Sequence, residues 1–347
     1  MSPSLSLPQS SLIAIAFAVV LAACSNGSQS TIPGQPLRDR SFSGASGASS
    51  AGQPNTSALT FRSRSASTPS YLGCGIFTPG DYYNADVTNA AVDPQSKQYL
   101  SSIEAVDNTG FQASLGIEPV NTGDNSTPLY TVRPRVSWHA FPVKYPWRKG
   151  FQIENIGDAH YVAINGETCH LYESYGTSFD GRSLSAYSGK DYDLRQPFKI
   201  GGGVMASGLS YFAGAVRHEE IAGGIHHALN VAVWQNALCN CYAAPAAESD
   251  GVPYIGPGSA YELPYGAHLR LKASFNCSNW GPQSGAVCAA MKRYGLYTSD
   301  TDGHYKNNNK LFFVNPTDGG EWDRNDLSAL QNVRFSDFDV LAVGQAP

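Results

Sequence analysis

Residues 159–176 read AHYVAINGETCHLYESYG. Both halves are rich in apolar and aromatic residues that partly alternate with polar ones, and each half ends in a glycine. Alternation with a period of two is typical of a half-buried β-strand, and Asn and Gly are typical of the turns between strands. The sequence therefore predicts two successive strands here.

Similar runs recur along the chain, namely PLYTVRPRVSWHAFPV, HALNVAVW, HLRLKASF, KLFFVN and FDVLAVG. Helical periodicity is convincing in only three places, residues 94–105, 282–294 and 323–333. Short strands separated by turns, without alternating strands and helices, predict a mainly β chain. The expected architecture is a β-sandwich of the jelly-roll, lectin or glucanase kind with a few flanking helices.

The amino terminus has the pattern of an export signal. Residues 12–23 carry no charge, and twelve residues are too short for a membrane span, which needs about 20 apolar residues. The sequence VLAACSN, residues 20–26, resembles the lipobox of bacterial lipoproteins, in which Cys24 receives the lipid. The alternative is an ordinary cleaved signal with an incidental cysteine. The lack of Lys or Arg in residues 1–11 counts against the lipoprotein interpretation, because the first segment of a signal is usually positive. We expect a lipoprotein signal peptide at 1–23 and a protein of the cell envelope, an outer-membrane lipoprotein, or a secreted one.

Residues 24–70 have the composition of a tether. Residues 25–70 contain thirteen serines and two aromatic residues, which predicts a disordered Ser/Gly-rich segment. This segment carries a net charge of +3. Because the whole chain carries −5, residues 71–347 carry a net charge of −8. An acidic body argues against a nucleic-acid partner, because phosphate binding requires a basic face. Residues 71–347 are long enough for a single globular β-rich domain.

Six cysteines follow Cys24: Cys74, Cys169, Cys239, Cys241, Cys277 and Cys288. An even number in an exported chain predicts disulfides, and six cysteines allow fifteen pairings. Cys277 and Cys288, eleven residues apart, are the simplest local pair. No cofactor and no metal site are predicted.

Several segments carry a resemblance: CGIFTPGDYYNADVTNAAVDPQSKQYLSSI, GDAHYVAINGETCHLYESY, GLSYFAGAVRHEEIAGGIHHAL, LRLKASF, MKRYGLYTSDTDG and SDFDVL. They resemble the blocks of a large family of secreted bacterial proteins with the pattern Cys-x-Ile-Phe, Gly-Asp-x-His, Leu-Tyr-Glu, Val-Arg-x-x-Glu and His-Ala-Leu. The resemblance covers almost all of residues 71–347 and implies no particular activity. One departure is VMASGLS, which lacks an aspartate and a proline common in the family.

Asp158 and His160 are two residues apart at the head of a predicted strand, so their side chains share a face. A carboxylate can orient an imidazole as a general base, although a turn-capping Asp and an edge His fit the same pattern. Glu173 lies within an aromatic strand, where burial without a partner is costly. It is expected either at the surface or in a cleft.

The densest polar cluster is VRHEEIAGGIHHAL, which contains Arg217, Glu220 and His227. It lacks the His-Glu-x-x-His order of zinc proteases, so no zinc is expected there. An acid, an arginine and a histidine that lead into an apolar strand make it a candidate catalytic cluster. A surface turn and a structural histidine are the alternative.

Asp300 lies in a polar stretch after the second helix, where plain turn chemistry is the alternative to substrate binding. Tyr294 and Trp322 are candidates for stacking on sugar rings, and otherwise belong to the core.

Acids and aromatics on a predicted sandwich favour an exported, lipid-anchored carbohydrate-active enzyme, either a polysaccharide hydrolase or a lyase, although fold analogy is a weak argument. Its partners would be a glycan and, through the lipid anchor, a membrane. Hydrolysis requires two carboxylates, for which Glu173 and Glu220 are the expected pair and Asp158 the reserve. A lyase would use His227 and Tyr294. The alternative is a non-catalytic lipoprotein that binds a glycan or another envelope component.

If the protein is an enzyme, its polar strand residues should converge. We expect Asp158, His160, Glu173 and His227 in one pocket, with Arg217 or Glu220 at its edge.

Overall fold

The computed structural model describes residues 69–136, 144–250, 261–302 and 308–342. The predicted signal peptide, the lipidation site Cys24 and residues 24–68 of the predicted tether lie outside the described residues. Within the described part, no helix combines the length and the apolar character needed to cross a membrane.

The described chain is mainly β. Its strands are β1 (Ser70–Tyr71), β2 (Cys74–Gly75), β3 (Phe111–Glu118), β4 (Val120–Gly123), β5 (Leu129–Pro134), β6 (Lys144–Pro146), β7 (Tyr161–Asn165), β8 (His170–Tyr175), β9 (Ser178–Phe179), β10 (Leu184–Ala186), β11 (Ser188–Asp193), β12 (Leu229–Val233), β13 (Leu238–Tyr242), β14 (Leu263–Tyr265), β15 (His268–Leu271), β16 (Leu296–Thr301), β17 (Asn309–Val314) and β18 (Phe338–Val340). The α-helices are α1 (Ser96–Val106), α2 (Pro282–Arg293) and α3 (Arg324–Leu327). Short 3-10 helices span Phe212–Gly214, His218–Glu220, Gln235–Ala237, Ser328–Asn332 and Phe335–Asp337. The prediction of a mainly β chain with few helices is confirmed.

The largest sheet has six strands in the order β18-β15-β16-β12-β17-β3. It shares a core with a sheet of four strands in the order β11-β8-β7-β4, and a third sheet, also of four strands, has the order β6-β5-β10-β9. The segment 159–176 contains β7 and β8, which pair antiparallel from Tyr161 opposite Ser174 to Asn165 opposite His170. The six-stranded sheet is mixed, because β12 runs parallel to β16 and β17 runs parallel to β3.

The two faces of the six-stranded sheet are covered differently. Leu229, Val231 and Val233 of β12 belong to a core cluster with residues of α1 and α2. Phe312 and Val314 of β17 contribute to a second cluster, which also contains buried residues of β7 and β8. Burial of both faces explains why β12 is apolar at nearly every position rather than alternating. The segment 204–215 fills much of the second cluster and links the two sheets.

Helix α2 shows how local sequence sets an element. Pro282 occupies its first turn, Lys292 and Arg293 its last turn, and Gly295 follows with φ of 76°. These are the residues that favour a helix start and stop. The carboxylate of Asp326, from α3, accepts hydrogen bonds from the backbone N–H of Gln283 (2.8 Å) and of Ser284 (3.2 Å). An acid thus satisfies the otherwise unpaired N–H groups at the positive end of the helix.

The six cysteines of the body lie in three pairs with Cα separations compatible with disulfides: Cys74–Cys169 (5.4 Å), Cys239–Cys241 (5.1 Å) and Cys277–Cys288 (6.6 Å). The first pair ties strand β2 to the turn before β8, 95 residues later in the chain.

Candidate functional site

A cavity of about 810 Å³ lies beside the ends of strands from both large sheets. Six carboxylates line it: Glu154, Asp158, Glu248, Asp250, Asp300 and Asp302. The described lining contains one lysine, Lys310, whose Nζ lies 2.7 Å from Oδ1 of Asp302. The aromatic side chains of Tyr175, Tyr211 and Phe312 complete much of the wall. The cavity is therefore strongly acidic and partly aromatic.

A second pocket, of about 600 Å³, lies beside Cys277 and Cys288. Its ionisable side chain, Lys292, donates hydrogen bonds to the carbonyls of Ala273 and Phe275. We place the candidate site in the larger cavity, because that cavity gathers carboxylates and a histidine.

The loop that precedes β7 forms one wall. The backbone N–H of Glu154 donates to the carbonyl of His160 (2.9 Å), and the N–H of His160 donates to Oε2 of Glu154 (3.0 Å). Nδ1 of His160 lies 2.9 Å from the same Oε2. The loop turns sharply, with φ of 87° at Gly157 and 53° at Ala159. A positive φ at a non-glycine residue is uncommon and is often found at functional sites.

A third polar side chain, from another strand, lies behind this wall and does not line the cavity. Glu118 ends β3, is fully buried, and its Oε2 lies 3.9 Å from Nδ1 of His160. Burial raises the pKa of Glu118 well above its usual value, although the charge of His160 opposes the rise. Burial alone would lower the pKa of His160, but its hydrogen bond to Glu154 and the charges of Glu118 and Glu154 raise it to about 9. The donor atoms of Glu118, Glu154 and His160 all lie within 4.8 Å of one another, so these residues could hold a metal ion.

Asp300, near the end of β16, faces the cavity and is only partly buried. Burial, together with the charges of Asp158 and Asp250, raises its pKa to about 7. A hydrogen bond from the backbone N–H of Thr301 (2.7 Å) and the charge of His160 act in the opposite direction. A carboxyl group with a pKa of about 7 is well suited to donate a proton at neutral pH.

Glu173 does not line this cavity. It is fully buried at the centre of β8, and its carboxylate accepts hydrogen bonds from the hydroxyl of Ser210 (2.9 Å) and from the N–H groups of Tyr211 (3.2 Å) and Phe212 (2.7 Å). Burial raises its pKa to about 7, and these hydrogen bonds limit the rise. The contacts of Glu173 position the segment that carries Tyr211 to the cavity wall.

The cluster of Arg217, Glu220 and His227 forms a buried network that does not line the cavity. Nη2 of Arg217 lies 2.6 Å from Oε1 of Glu220, and Nε2 of His227 lies 3.1 Å from Oε2. Nη1 of Arg217 also donates to the carbonyls of Phe212 (2.6 Å) and Ala215 (3.1 Å). This network ties the turn at 217–220 to the strand β12 that follows it.

Tyr294 and Trp322 are also remote from the cavity lining. Tyr294 is buried, with its hydroxyl 3.2 Å from Nδ1 of His226. The indole N–H of Trp322 donates to the carbonyl of Val314 (2.9 Å), and its ring packs against Phe313.

Of the predicted site residues, the structure brings Asp158, His160 and Asp300 to one cavity. It places Glu173 behind the wall, and it places Glu220, His227, Arg217, Tyr294 and Trp322 elsewhere. The expected sharing of one pocket by Asp158, His160, Glu173 and His227 thus extends to the first two only. Their catalytic and binding roles stay predictions.

Sequence reasoning missed Glu118 and Glu154. Each is a lone acid beside isoleucine, in LGIEPV and FQIENIG respectively. A carboxylate in an apolar stretch is costly to bury without a partner, which is the argument that identified Glu173. The same signal was therefore present at both positions.

Compared with protein-family models, with curated protein sequences and with solved structures, the chain gives no match.

Proposed function

We propose that this protein is an exported, lipid-anchored enzyme that hydrolyses a polysaccharide, and that the acidic cavity is its active site. The observation that carries the proposal is the presence of Asp158 and Asp300 in one cavity whose wall also contains Tyr175 and Tyr211. A volume of about 810 Å³ falls within the range of about 300–1,000 Å³ that is usual for small-molecule and substrate sites. Glycoside hydrolysis requires two carboxyl groups that flank the scissile bond.

The two carboxyl groups differ in environment, as acid and base roles require. Asp300 is half-buried, and burial raises its pKa to about 7, so it holds a proton in a large fraction of molecules at neutral pH. It would protonate the leaving oxygen of the glycosidic bond. Asp158 is exposed to the cavity and would act as the second carboxylate, either activating water or attacking the sugar. Tyr175, which is partly exposed, offers a ring on which a sugar could stack.

Two observations favour hydrolysis over the other functions considered. The residues expected to serve a lyase, His227 and Tyr294, do not line the cavity. A glycan-binding module would expose a platform of aromatic side chains, whereas among the described residues the one strongly exposed aromatic side chain is Tyr242, at 48%. The sandwich architecture, membership of the secreted bacterial family and attachment through Cys24 are parts of the same proposal.

The experiment is a screen of the full chain on a panel of polysaccharides. Hydrolysis is followed by the release of reducing ends, and lyase activity by the absorbance of unsaturated products. On any substrate that is cleaved, Asp300→Asn should lower kcat by about 100-fold or more, since a general acid contributes about 10²–10⁴-fold. Glu321→Gln, which removes an exposed carboxylate, is the matched control and should retain activity.

Release of unsaturated products would show that the enzyme is a lyase and not a hydrolase. If Asp300→Asn retained full activity, Asp300 would be excluded as the general acid. Binding of a glycan without any product would favour the non-catalytic alternative.

A further inference from the structure

Glu118, Glu154 and His160 meet at the corner where the chain leaves the six-stranded sheet and enters the four-stranded sheet. Glu118 ends β3, and β4 begins two residues later in the other sheet. From this geometry we propose that the three side chains bind one divalent transition-metal ion, with Zn²⁺ as the probe. The inference goes beyond the proposed hydrolase activity and does not depend on it.

The first observation is the state of Glu118. Its side chain is fully buried, and neither Oε1 nor Oε2 has a hydrogen-bond partner among the described residues. A buried carboxylate without donors is costly, and such groups in proteins are normally paired or coordinate a metal. The ion pair between His160 and Glu154 explains the placement of those two residues but leaves Glu118 without a hydrogen bond. A cation among the three would give Glu118 its partner.

The second observation is the spacing of the donor atoms. Nδ1 of His160 lies 2.9 Å from Oε2 of Glu154 and 3.9 Å from Oε2 of Glu118. Ligands bound at about 2.1 Å to one tetrahedral or octahedral ion lie about 3.0–3.4 Å apart. These two distances lie on either side of that range, and all the donor atoms lie within 4.8 Å of one another, so small side-chain movements would bring them into one coordination sphere. Imidazole and carboxylate donors together suit Zn²⁺ and its first-row neighbours.

The third observation is how the donors are held. Glu154 and His160 are fixed to each other by two hydrogen bonds through their backbone, and the turn between them includes Ala159 with φ of 53°. Backbone held in this uncommon region persists only where the surrounding structure requires it. Both residues also line the cavity, so an ion could reach them from solvent and keep a coordination position open to the cavity.

The test measures binding rather than activity. The full chain is stripped with a chelator, and Zn²⁺ is added during calorimetry and during thermal unfolding. We expect one ion per chain and a rise in Tm, because an ion that binds only the folded state stabilises it. Glu118→Gln keeps the size of the side chain and removes its charge, and it should weaken Zn²⁺ binding by at least about 10-fold. Loss even of an outer-shell partner costs about 10–100-fold in metal affinity, and loss of a direct ligand should cost no less.

Glu321→Gln is the control for a general loss of negative charge and should bind as the parent does. If Glu118→Gln does not fold, Glu154→Gln at the cavity wall replaces it, with the same expected loss. Binding of Mn²⁺ instead of Zn²⁺, with the same dependence on Glu118, would support the site with another metal. The proposal is overturned if no divalent ion binds below about 100 µM, or if Zn²⁺ binds Glu118→Gln as tightly as the parent. Equally tight binding by Glu118→Gln would mean that Zn²⁺ binds at a different site on the protein surface.

Discussion

Replacing Arg217 with methionine should destabilise the protein strongly. The Arg217 side chain is fully buried, and its guanidinium contacts the carboxylate of Glu220 at 2.6 Å. Methionine keeps much of the apolar volume but removes the charge and the donors. Glu220 is then left buried with His227 as its remaining partner within this network, and two backbone carbonyls lose the hydrogen bonds that Arg217 gave them.

The size of the effect follows from the cost of an uncompensated buried charge. Removing one partner of a buried ion pair costs about 3–5 kcal/mol. The pKa of Glu220 gives a similar figure. Burial alone would raise this pKa, but the charge of Arg217, and then that of His227 and the hydrogen bonds from both, lower it from 4.5 to about 2. A difference of that size corresponds to about 3 kcal/mol. At about 2–4 °C per kcal/mol for a domain of this size, Tm should fall by about 6–20 °C.

The sign of the pH dependence is fixed by the same pKa. Because the folded-state pKa of Glu220 lies below its unfolded value, its contribution is fully present above about pH 4.5 and is lost as the pH falls towards 2. The stability difference between the parent and Arg217→Met should therefore be largest near pH 7 and shrink below pH 4.5.

Urea unfolding followed by circular dichroism at pH 7 and pH 3.5 measures both quantities. Adding Glu220→Gln to Arg217→Met removes the buried carboxylate that has lost its arginine partner. The double variant should recover at least about 1 kcal/mol of the lost free energy of unfolding. A loss below about 1 kcal/mol for Arg217→Met, or a double variant whose loss is the sum of the two single losses, would refute the reasoning.

Three further outcomes are expected. Replacing Cys74 and Cys169 with serine should lower the free energy of unfolding by about 2–5 kcal/mol, measured by urea unfolding, because their disulfide closes a loop of 95 residues; an unchanged midpoint would contradict it. Gly203→Ala should destabilise the cavity wall and lower Tm, because its new Cβ would lie 2.2 Å from the backbone oxygen of Leu209. An unaltered Tm would show that the backbone of this segment moves to accommodate the methyl group. If the protein cleaves a polysaccharide, kcat should fall as the pH rises past about 7, because Asp300 then loses the proton it must donate; a kcat that keeps rising to pH 9 would exclude this role.

Local signals predicted the elements better than their arrangement. The proline and glycine that bound α2 are neighbours of the helix in sequence, so the prediction of 282–294 and the observed Pro282–Arg293 nearly coincide. The parallel pairing of β3 with β17 joins residues about 200 positions apart, and no period in either strand specifies that partner. A sheet covered by helices on one face was therefore outside what periodicity could predict.

The candidate site shows the same division. Asp158 and His160 do reach one cavity, but not by the strand alternation from which this was predicted, because both precede β7 in a loop with φ of 53° at Ala159. Glu118 lies against His160 behind this wall and comes from a strand more than thirty residues earlier, so only the three-dimensional path of the chain brings the two together. Glu173 carried the right signal, a carboxylate in an aromatic strand. Its partners are the Ser210 hydroxyl and two backbone N–H groups from a segment about 37 residues later, and no local pattern in the sequence specifies them.

The two edges of the six-stranded sheet have a kinetic consequence. One edge strand is β3, at residues 111–118, and the other is β18, at residues 338–340. During translation the two edge strands are therefore synthesised at widely separated times. The ribosome must add more than two hundred residues after β3 emerges before the sheet can be completed, and pairing across such separations is slow. During this interval the nascent strands expose unpaired N–H and C=O groups that could pair with other chains. A chain cut short before β18 would leave β15 as a permanent open edge, and such fragments should aggregate rather than fold.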